Sequence, residues 1–327
     1  MKSPLHRIGA FACAAVALSA GVSRDAVAQG YPQRAITLIN PAAAGGSNEA
    51  LKTIIFDRVA ASLGQPIVME SRGGAGGTIG AAIAAKAEPN GYTLLLAGSS
   101  VMATGPITQK DVPYDPVRDF TPIVLLIEAP FLLVTHKSVP ASTGPELVDL
   151  LRRQPGRFNY GSYGPGATNF LAFELLKNVT GTDAVHVPYR GSAPLLLALL
   201  AGEVQAAFEF YPTIRHHVEA GTLRILGVAS ATRFRLLPDV PTLGEQGINV
   251  EAGGLTMLVA PAGLTAPVAD LLNTEFNKAL AEPEVRRRLA DIGYETVGGT
   301  RELAASRIAE GIAKWSRLAR DIGYRPQ

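Results

Sequence analysis

Glu70-Ser-Arg-Gly-Gly-Ala-Gly-Gly-Thr-Ile-Gly80 stands between a short apolar run, Pro66 to Met69, and an alanine-rich run from Ile79 to Lys86. That order predicts a strand, a glycine loop and a helix N-terminus. Glycine tolerates positive φ and lets a ligand approach the backbone. The first turn of the following helix carries unpaired N–H groups and partial positive charge. Such a place holds an anion without a cationic side chain. One glycine loop on its own is more often a plain tight turn.

A second loop of the same kind precedes it. Ile36 to Asn40 reads as a strand, followed by Pro41-Ala-Ala-Ala-Gly-Gly-Ser-Asn48. Ser47 or Asn48 is a natural N-cap, and Leu51, Ile54, Ile55 and Val59 mark one helix face. In an open parallel sheet both loops open on the edge formed by the carboxyl ends of the strands, where ligands bind. Neither loop spells a nucleotide signature. Gly73 to Gly80 is not G-x-G-x-x-G, and no Gly-Lys pair exists for a P-loop.

Outward from this pair, the chain alternates strand-like and helix-like runs. Tyr92 to Ala97 is a strand ending in a third edge loop, Gly98-Ser-Ser100. Thr121 to Thr135 is a long apolar run interrupted at Glu128, Ala129 and Pro130, as expected of a segment passing from one domain to another. Phe158 to Gly161 is a strand, and Ser162-Tyr-Gly-Pro-Gly-Ala-Thr168 a fourth glycine loop before a helix from Asn169 to Asn178. Ala184 to Val187, Val204 to Phe208 and Leu223 to Ala229 read as further strands, and Glu146 to Arg153 and Ser192 to Ala201 as helices. Glu251 to Val259 is the expected return crossing. Ile308, Ile312, Trp315 and Ala319 give one packed face of a C-terminal helix. The fold class is therefore α/β, with domain 1 at 29–127 plus 254–327 and an inserted domain 2 at 128–253.

The first 28 residues read as a signal peptide. Lys2, His6 and Arg7 form a basic start, Ile8 to Val22 an apolar core, and Ala26-Val27-Ala28 an A-x-A cleavage site. The apolar run is short for a membrane span. The single cysteine, Cys13, lies inside this segment, and Ala10 stands where a lipoprotein signal wants leucine. Cleavage after Ala28 removes Lys2, Arg7 and Arg24 from 30 basic residues and Asp25 from 28 acidic ones, leaving 27 of each. A neutral, cysteine-free mature chain offers no disulfide or thiolate chemistry and no nucleic-acid surface.

The chemical inventory excludes more than it offers. His136, His186, His216 and His217 form no H-E-x-x-H, and no cysteine supports zinc. G-x-S-x-G is absent: Ser162 follows Tyr160-Gly161. Asp111 and Asp115 lie in a proline turn. No catalytic set or cofactor motif emerges, so the expectation is no enzyme, no cofactor and no metal. An exported two-domain α/β chain with several anion-ready loops points to a solute receptor.

Several pieces also match a known family in order: Tyr31-Pro32, Pro41 to Glu49, Glu70 to Gly77, Gly91-Tyr-Thr, Pro113-Tyr-Asp115 with Asp119-Phe120, Gly164 to Leu171, His186-Val-Pro-Tyr-Arg-Gly191, Pro238-Asp-Val-Pro-Thr242 with Glu245 and Gly247, and Ala260-Pro261. Across the mature sequence the chain resembles the periplasmic substrate-binding proteins of tripartite tricarboxylate transporters, the TctC or Bug type. The resemblance implies a type II periplasmic-binding fold, two α/β domains joined by a hinge with a ligand cleft between them. It implies a monomeric periplasmic receptor for a dicarboxylate, amino-dicarboxylate or aromatic acid, held largely by backbone N–H groups and water and delivered to a membrane permease. A sensory receptor that signals its loaded state is the alternative. Carried onto this sequence, the ligand contacts are Ala44, Ser47, Asn48, Ala75, Gly76, Ser99, Ser162, Gly166, Ala167, Thr168, Asn169, Tyr189 and Glu209. The sequence departs from the family pattern at Ala42, Asn48, Glu49, Ser71, Gly73, Ala167 and Phe170, changes that favour a roomier or more apolar pocket. Phe208, Phe210 and Tyr211 are candidates to line an apolar body, core packing being the equal alternative. Arg72 and Arg190 are candidate anion partners or plain solvated loop arginines.

Overall fold

The computed structural model describes residues 30–42, 47–189 and 191–326. The expected signal peptide, Ala44 and Arg190 lie outside the described residues. The strands in chain order are β1 (Ile36–Asn40), β2 (Ile67–Ser71), β3 (Thr93–Gly98), β4 (Phe120–Pro130), β5 (Leu132–His136), β6 (Asn159–Ser162), β7 (Val185–Pro188), β8 (Ala206–Glu209), β9 (Leu223–Val228), β10 (Gly253–Pro261) and β11 (Glu295–Thr296). They form two sheets, ordered β11-β4-β10-β3-β1-β2 and β7-β6-β8-β5-β9.

β1 pairs in parallel with both β2 and β3. Asn40, Ser71 and Gly98 therefore end on one edge, as the glycine loops require. β1 leads into a helix over Ser47–Leu51 that passes through a π turn at Lys52–Phe56 into Asp57–Leu63. Ser47 and Asn48, expected as caps, sit within its first turn. β2 leads through a tight turn, Ala75–Gly77, into the Thr78–Ala85 helix. In that turn Ala75 and Gly76 have φ of 46° and 65°. The sheet is not wholly parallel, however. β10 returns antiparallel between β3 and β4, because the chain re-enters from the opposite end after building the second sheet. In that second sheet β6 runs parallel to β7 and β8, and β5 antiparallel to β8 and β9.

The two crossings lie side by side. β4 and β10 pair along their length, from Phe120 opposite Pro261 to Pro130 opposite Gly253. The interruption expected at Glu128 to Pro130 does not occur there. Those residues stay paired, and the chain breaks at Phe131 before β5. Proline lacks a ladder donor, so Pro130 suits the last rung. The return strand needs glycine where it meets its neighbours. A Cβ on Gly253 would sit 2.5 Å from the Ala129 carbonyl oxygen, and one on Gly254 2.8 Å from the Phe210 ring.

Each sheet is covered on both faces by buried apolar residues. Leu38, Ile55, Phe56, Leu94 and Phe276 belong to one cluster of the first sheet, and Ile39, Leu95, Met257, Ala304 and Ile308 to another. Leu133, Tyr160, Phe173 and Phe208 fill one face of the second sheet. The last helix, Arg301–Asp321, joins both. Ala304 and Ile308 pack into the first sheet's core, whereas Trp315 and Leu318 belong to the core of the second, with Ile322 and Tyr324 against it. Trp315 is a core residue at 4% exposure.

Candidate ligand-binding site

Seven segments from distant parts of the chain surround a cavity of about 210 Å³. The first helix gives Asn48, and the end of β3 gives Gly98, Ser99 and Ser100. The crossings give Ile127, Ala129, Gly254, Leu255 and Thr256. The second sheet gives Phe131, Tyr163, Ala167, Thr168, Asn169 and Phe210, and Tyr294 closes the set. A larger cavity of about 440 Å³ lies against the last helix and the crossings. Its charged lining mixes Glu128, Glu251, Glu295 and Glu310 with Arg233, Arg307 and Lys314, and the glycine loops contribute only Ser99. The smaller cavity is the one at which the segments after β1, β3 and β6 meet.

The Thr168–Thr180 helix starts at its wall. Ala167 is the N-cap in an extended conformation and its side chain provides no capping bond. The first-turn N–H groups of such a helix have no intrahelical acceptor. The loop before it is held from beneath. Asn169, fully buried, accepts the Tyr163 N–H at 3.3 Å and donates to the Phe208 carbonyl at 3.4 Å. The Thr104 hydroxyl donates to the Gly166 carbonyl at 2.8 Å, linking the segment after β3 to the loop after β6 across the two sheets. The Ser99 hydroxyl accepts the Leu255 N–H at 2.9 Å and so ties β3 to the return crossing.

Among the described residues, no lysine, arginine or histidine lines this cavity. Arg72 is exposed and paired with Glu70 at 3.0 Å. The donors that the described lining offers a negative charge are N–H and hydroxyl groups. The apolar wall is aromatic: Phe131 and Phe210 stack at 4.3 Å. Phe208 is buried in the core against Phe131 and Phe173, and Tyr211 packs on Phe234.

Glu209 lies just behind this wall, fully buried. Its Oε2 accepts the Tyr163 hydroxyl at 2.7 Å and the Phe210 N–H at 3.3 Å. Its Oε1 is buried with no hydrogen-bond partner among the described residues. Burial pushes the Glu209 carboxyl up to about 8, against the smaller opposing pull of those hydrogen bonds. It is therefore largely neutral at pH 7 and does not repel an anion in the cavity.

Of the residues expected to touch ligand, Asn48, Ser99, Ala167, Thr168 and Asn169 come together in the wall. Ala75, Gly76, Ser162, Gly166, Tyr189 and Glu209 stand outside it. A Cβ on Gly76 would lie 2.9 Å from Gln109 Nε2, and one on Gly166 3.5 Å from the same atom, so the second and fourth loops both border Gln109. Ser162 is buried and bonded to His186 Nε2 at 2.7 Å. Burial pulls that imidazole down to about 4. Ala44 and the Ser47 side chain lie outside the described residues. Sequence reading missed Ile127, Ala129, Leu255, Thr256 and Tyr294. Only their place on or beside the crossings signals them.

A two-sheet α/β molecule with a paired double crossing and a loop-lined cavity has direct counterparts. The family model described as tripartite tricarboxylate transporter family receptor matches residues 53–324. The chain belongs to that receptor family. Among its relatives is Protein BugT of Bordetella pertussis, 33% identical over 307 residues, covering 93% of this chain and 94% of BugT. The solved structure of R. palustris Rpa4515 with adipate superposes with a TM-score of 0.83 at 32% identity, covering 91% of this chain and 100% of that one. MatC (Rpa3494) from Rhodopseudomonas palustris with bound malate gives a TM-score of 0.78 at 30% identity, with coverage of 88% and 99%. The fold is accordingly the type II periplasmic-binding fold. As a tripartite tricarboxylate transporter family receptor, the chain is a solute-binding protein and not an enzyme.

Proposed function

We propose that this receptor captures a small carboxylate bearing an apolar or aromatic body, and presents it to a membrane permease of the tripartite tricarboxylate type. The observation that carries this reading is the cavity itself. It sits at a helix start, is lined by no cationic side chain among the described residues, and has the Phe131–Phe210 stack in its wall. Hydrogen bonds to a charged acceptor contribute about 1.5–3 kcal/mol each, so two or three N–H donors account for specific capture without a salt bridge. The relatives solved with adipate and malate support a carboxylate as the anchored group. The ligand contacts we assign are Asn48, Ser99, Ala167, Thr168 and Asn169, with Tyr163, Phe131 and Phe210 against the body. Domain boundaries at 127/128 and 253/254, export to the periplasm and cleavage after Ala28 belong to the same proposal.

Small molecules released on denaturing the purified protein, identified by mass spectrometry, test the ligand class. Calorimetry then compares adipate, malate and 3-phenylpropionate. The expected result is a bound carboxylate, with the apolar acids tighter than malate. Release of a neutral or cationic solute, with no binding of any of the three acids, overturns the reading.

A further inference from the structure

Asn40 ends β1 and is fully buried. Its carboxamide touches both glycine-loop segments of the first sheet. Oδ1 accepts the Ala42 N–H at 3.1 Å and Asn48 Nδ2 at 2.7 Å, while Nδ2 donates to Ser71 Oγ at 3.1 Å. The Asn40 backbone carbonyl accepts the Arg72 N–H at 2.7 Å. One residue thus grips the start of the first loop, the first turn of the helix after it, and the end of β2 where the second loop departs. The amide has only one workable orientation. Flipped, its NH₂ would face two donors. Buried polar groups are costly unless bonded, and a fully satisfied network rigidifies what it joins. The preceding strand residues Leu38 and Ile39 fill their equally buried places with apolar side chains, so burial alone does not call for an amide here.

We propose that Asn40 is the positioning residue of the cleft edge, holding Ala42, Asn48 and the end of β2 in one fixed arrangement before ligand arrives. The proposal rests on the carboxylate reading only for its effect on affinity. Hydrogen exchange read by mass spectrometry on the ligand-free protein tests the positioning directly. Asn40→Leu should speed exchange about tenfold in peptides covering 47–51 and 70–78 together, with peptides of β5, β8 and β9 unchanged. Asn40→Asp can still accept from Ala42, Asn48 and a rotated Ser71 hydroxyl, so its exchange should stay slow. Its new charge beside Asn48 should weaken adipate binding by about tenfold or more in calorimetry. Asn40→Leu with wild-type exchange in 47–51 or 70–78, or with equal acceleration throughout the chain, overturns the proposal, as does Asn40→Asp exchanging as fast as Asn40→Leu. Wild-type protein that binds neither adipate nor malate counts against the carboxylate reading, and the exchange pattern alone then decides the role of Asn40.

Discussion

Buried Glu209 and half-buried His186 are titratable side chains whose shifts have opposite consequences for stability. The Glu209 carboxyl is raised to about 8 from an ordinary 4.5, so the folded state keeps a proton that the unfolded chain has lost. Its contribution is full below about pH 4.5 and is lost as pH rises through 8. His186 is held at about 4 from an ordinary 6.5, so its contribution is full above 6.5 and is lost as pH falls toward 4. Between 4.5 and 6.5 the two slopes oppose, and above 6.5 Glu209 acts with little interference from His186. A one-proton difference is worth about 1.4 kcal/mol per pH unit. Thermal unfolding should therefore show the wild-type midpoint falling from pH 6.5 to 8.5, and Glu209→Gln, which keeps an acceptor for Tyr163, falling clearly less. Identical slopes would mean that Glu209 is charged in the folded state. Arg72 is the contrasting case. Exposed and paired only with Glu70, it should change carboxylate affinity by no more than about 1 kcal/mol when replaced by alanine. A complete loss of binding would reveal a cationic clamp.

The Thr168–Thr180 helix sets stability against function at a single position. Ala167 leaves its N-cap without a side-chain bond, and an N-cap hydroxyl or carboxylate is worth about 0.5–2 kcal/mol. Ala167→Ser should raise the melting temperature and leave carboxylate binding within a few-fold. Ala167→Asp should raise it as well, yet place a fixed carboxylate at the cavity wall and suppress binding by at least tenfold. Melting curves and calorimetry with adipate on both variants check this, and Ala167→Asp binding as well as wild type would show that the anion sits elsewhere. This helix, its glycine loop and the helix after β1 were legible in the sequence, because strand, loop and cap signals are local, whereas the loop expected at Gly98-Ser-Ser100 is instead a strand end running directly into a π turn at Ser100–Thr104. The second loop was legible as a loop but not in its place. Neither Ala75 nor Gly76 lines the cavity, and Gly76 borders Gln109 instead, an offset that depends on how the chain between β3 and β4 packs. The walls from β4 and β10 were harder still. Ile127 and Thr256 meet through a register between strands more than a hundred residues apart, and no short-range pattern encodes it.

At the scale of the molecule, the two sheets communicate through β4, β10 and a hydrogen bond from Thr104 to Gly166. Thr104 is fully buried, and its bond bridges the sheets beside the cavity. Such a bond contributes about 0.5–1.5 kcal/mol net, enough to shift an open–closed equilibrium by up to about tenfold. Thr104→Val, which keeps the shape and loses the donor, should increase the radius of gyration of the ligand-free protein in solution scattering, with adipate reversing part of the change. The same radius in both proteins would place the hinge's balance elsewhere. The last helix adds a matter of timing. Its Trp315 and Leu318 complete a core otherwise built from residues 103–252, so this core stays open on one side during synthesis until those two residues follow. A chain stopped after Glu310 should bind a hydrophobic dye and lose the sharp cooperative melt of the full protein, although the missing piece contributes nothing to the ligand cavity.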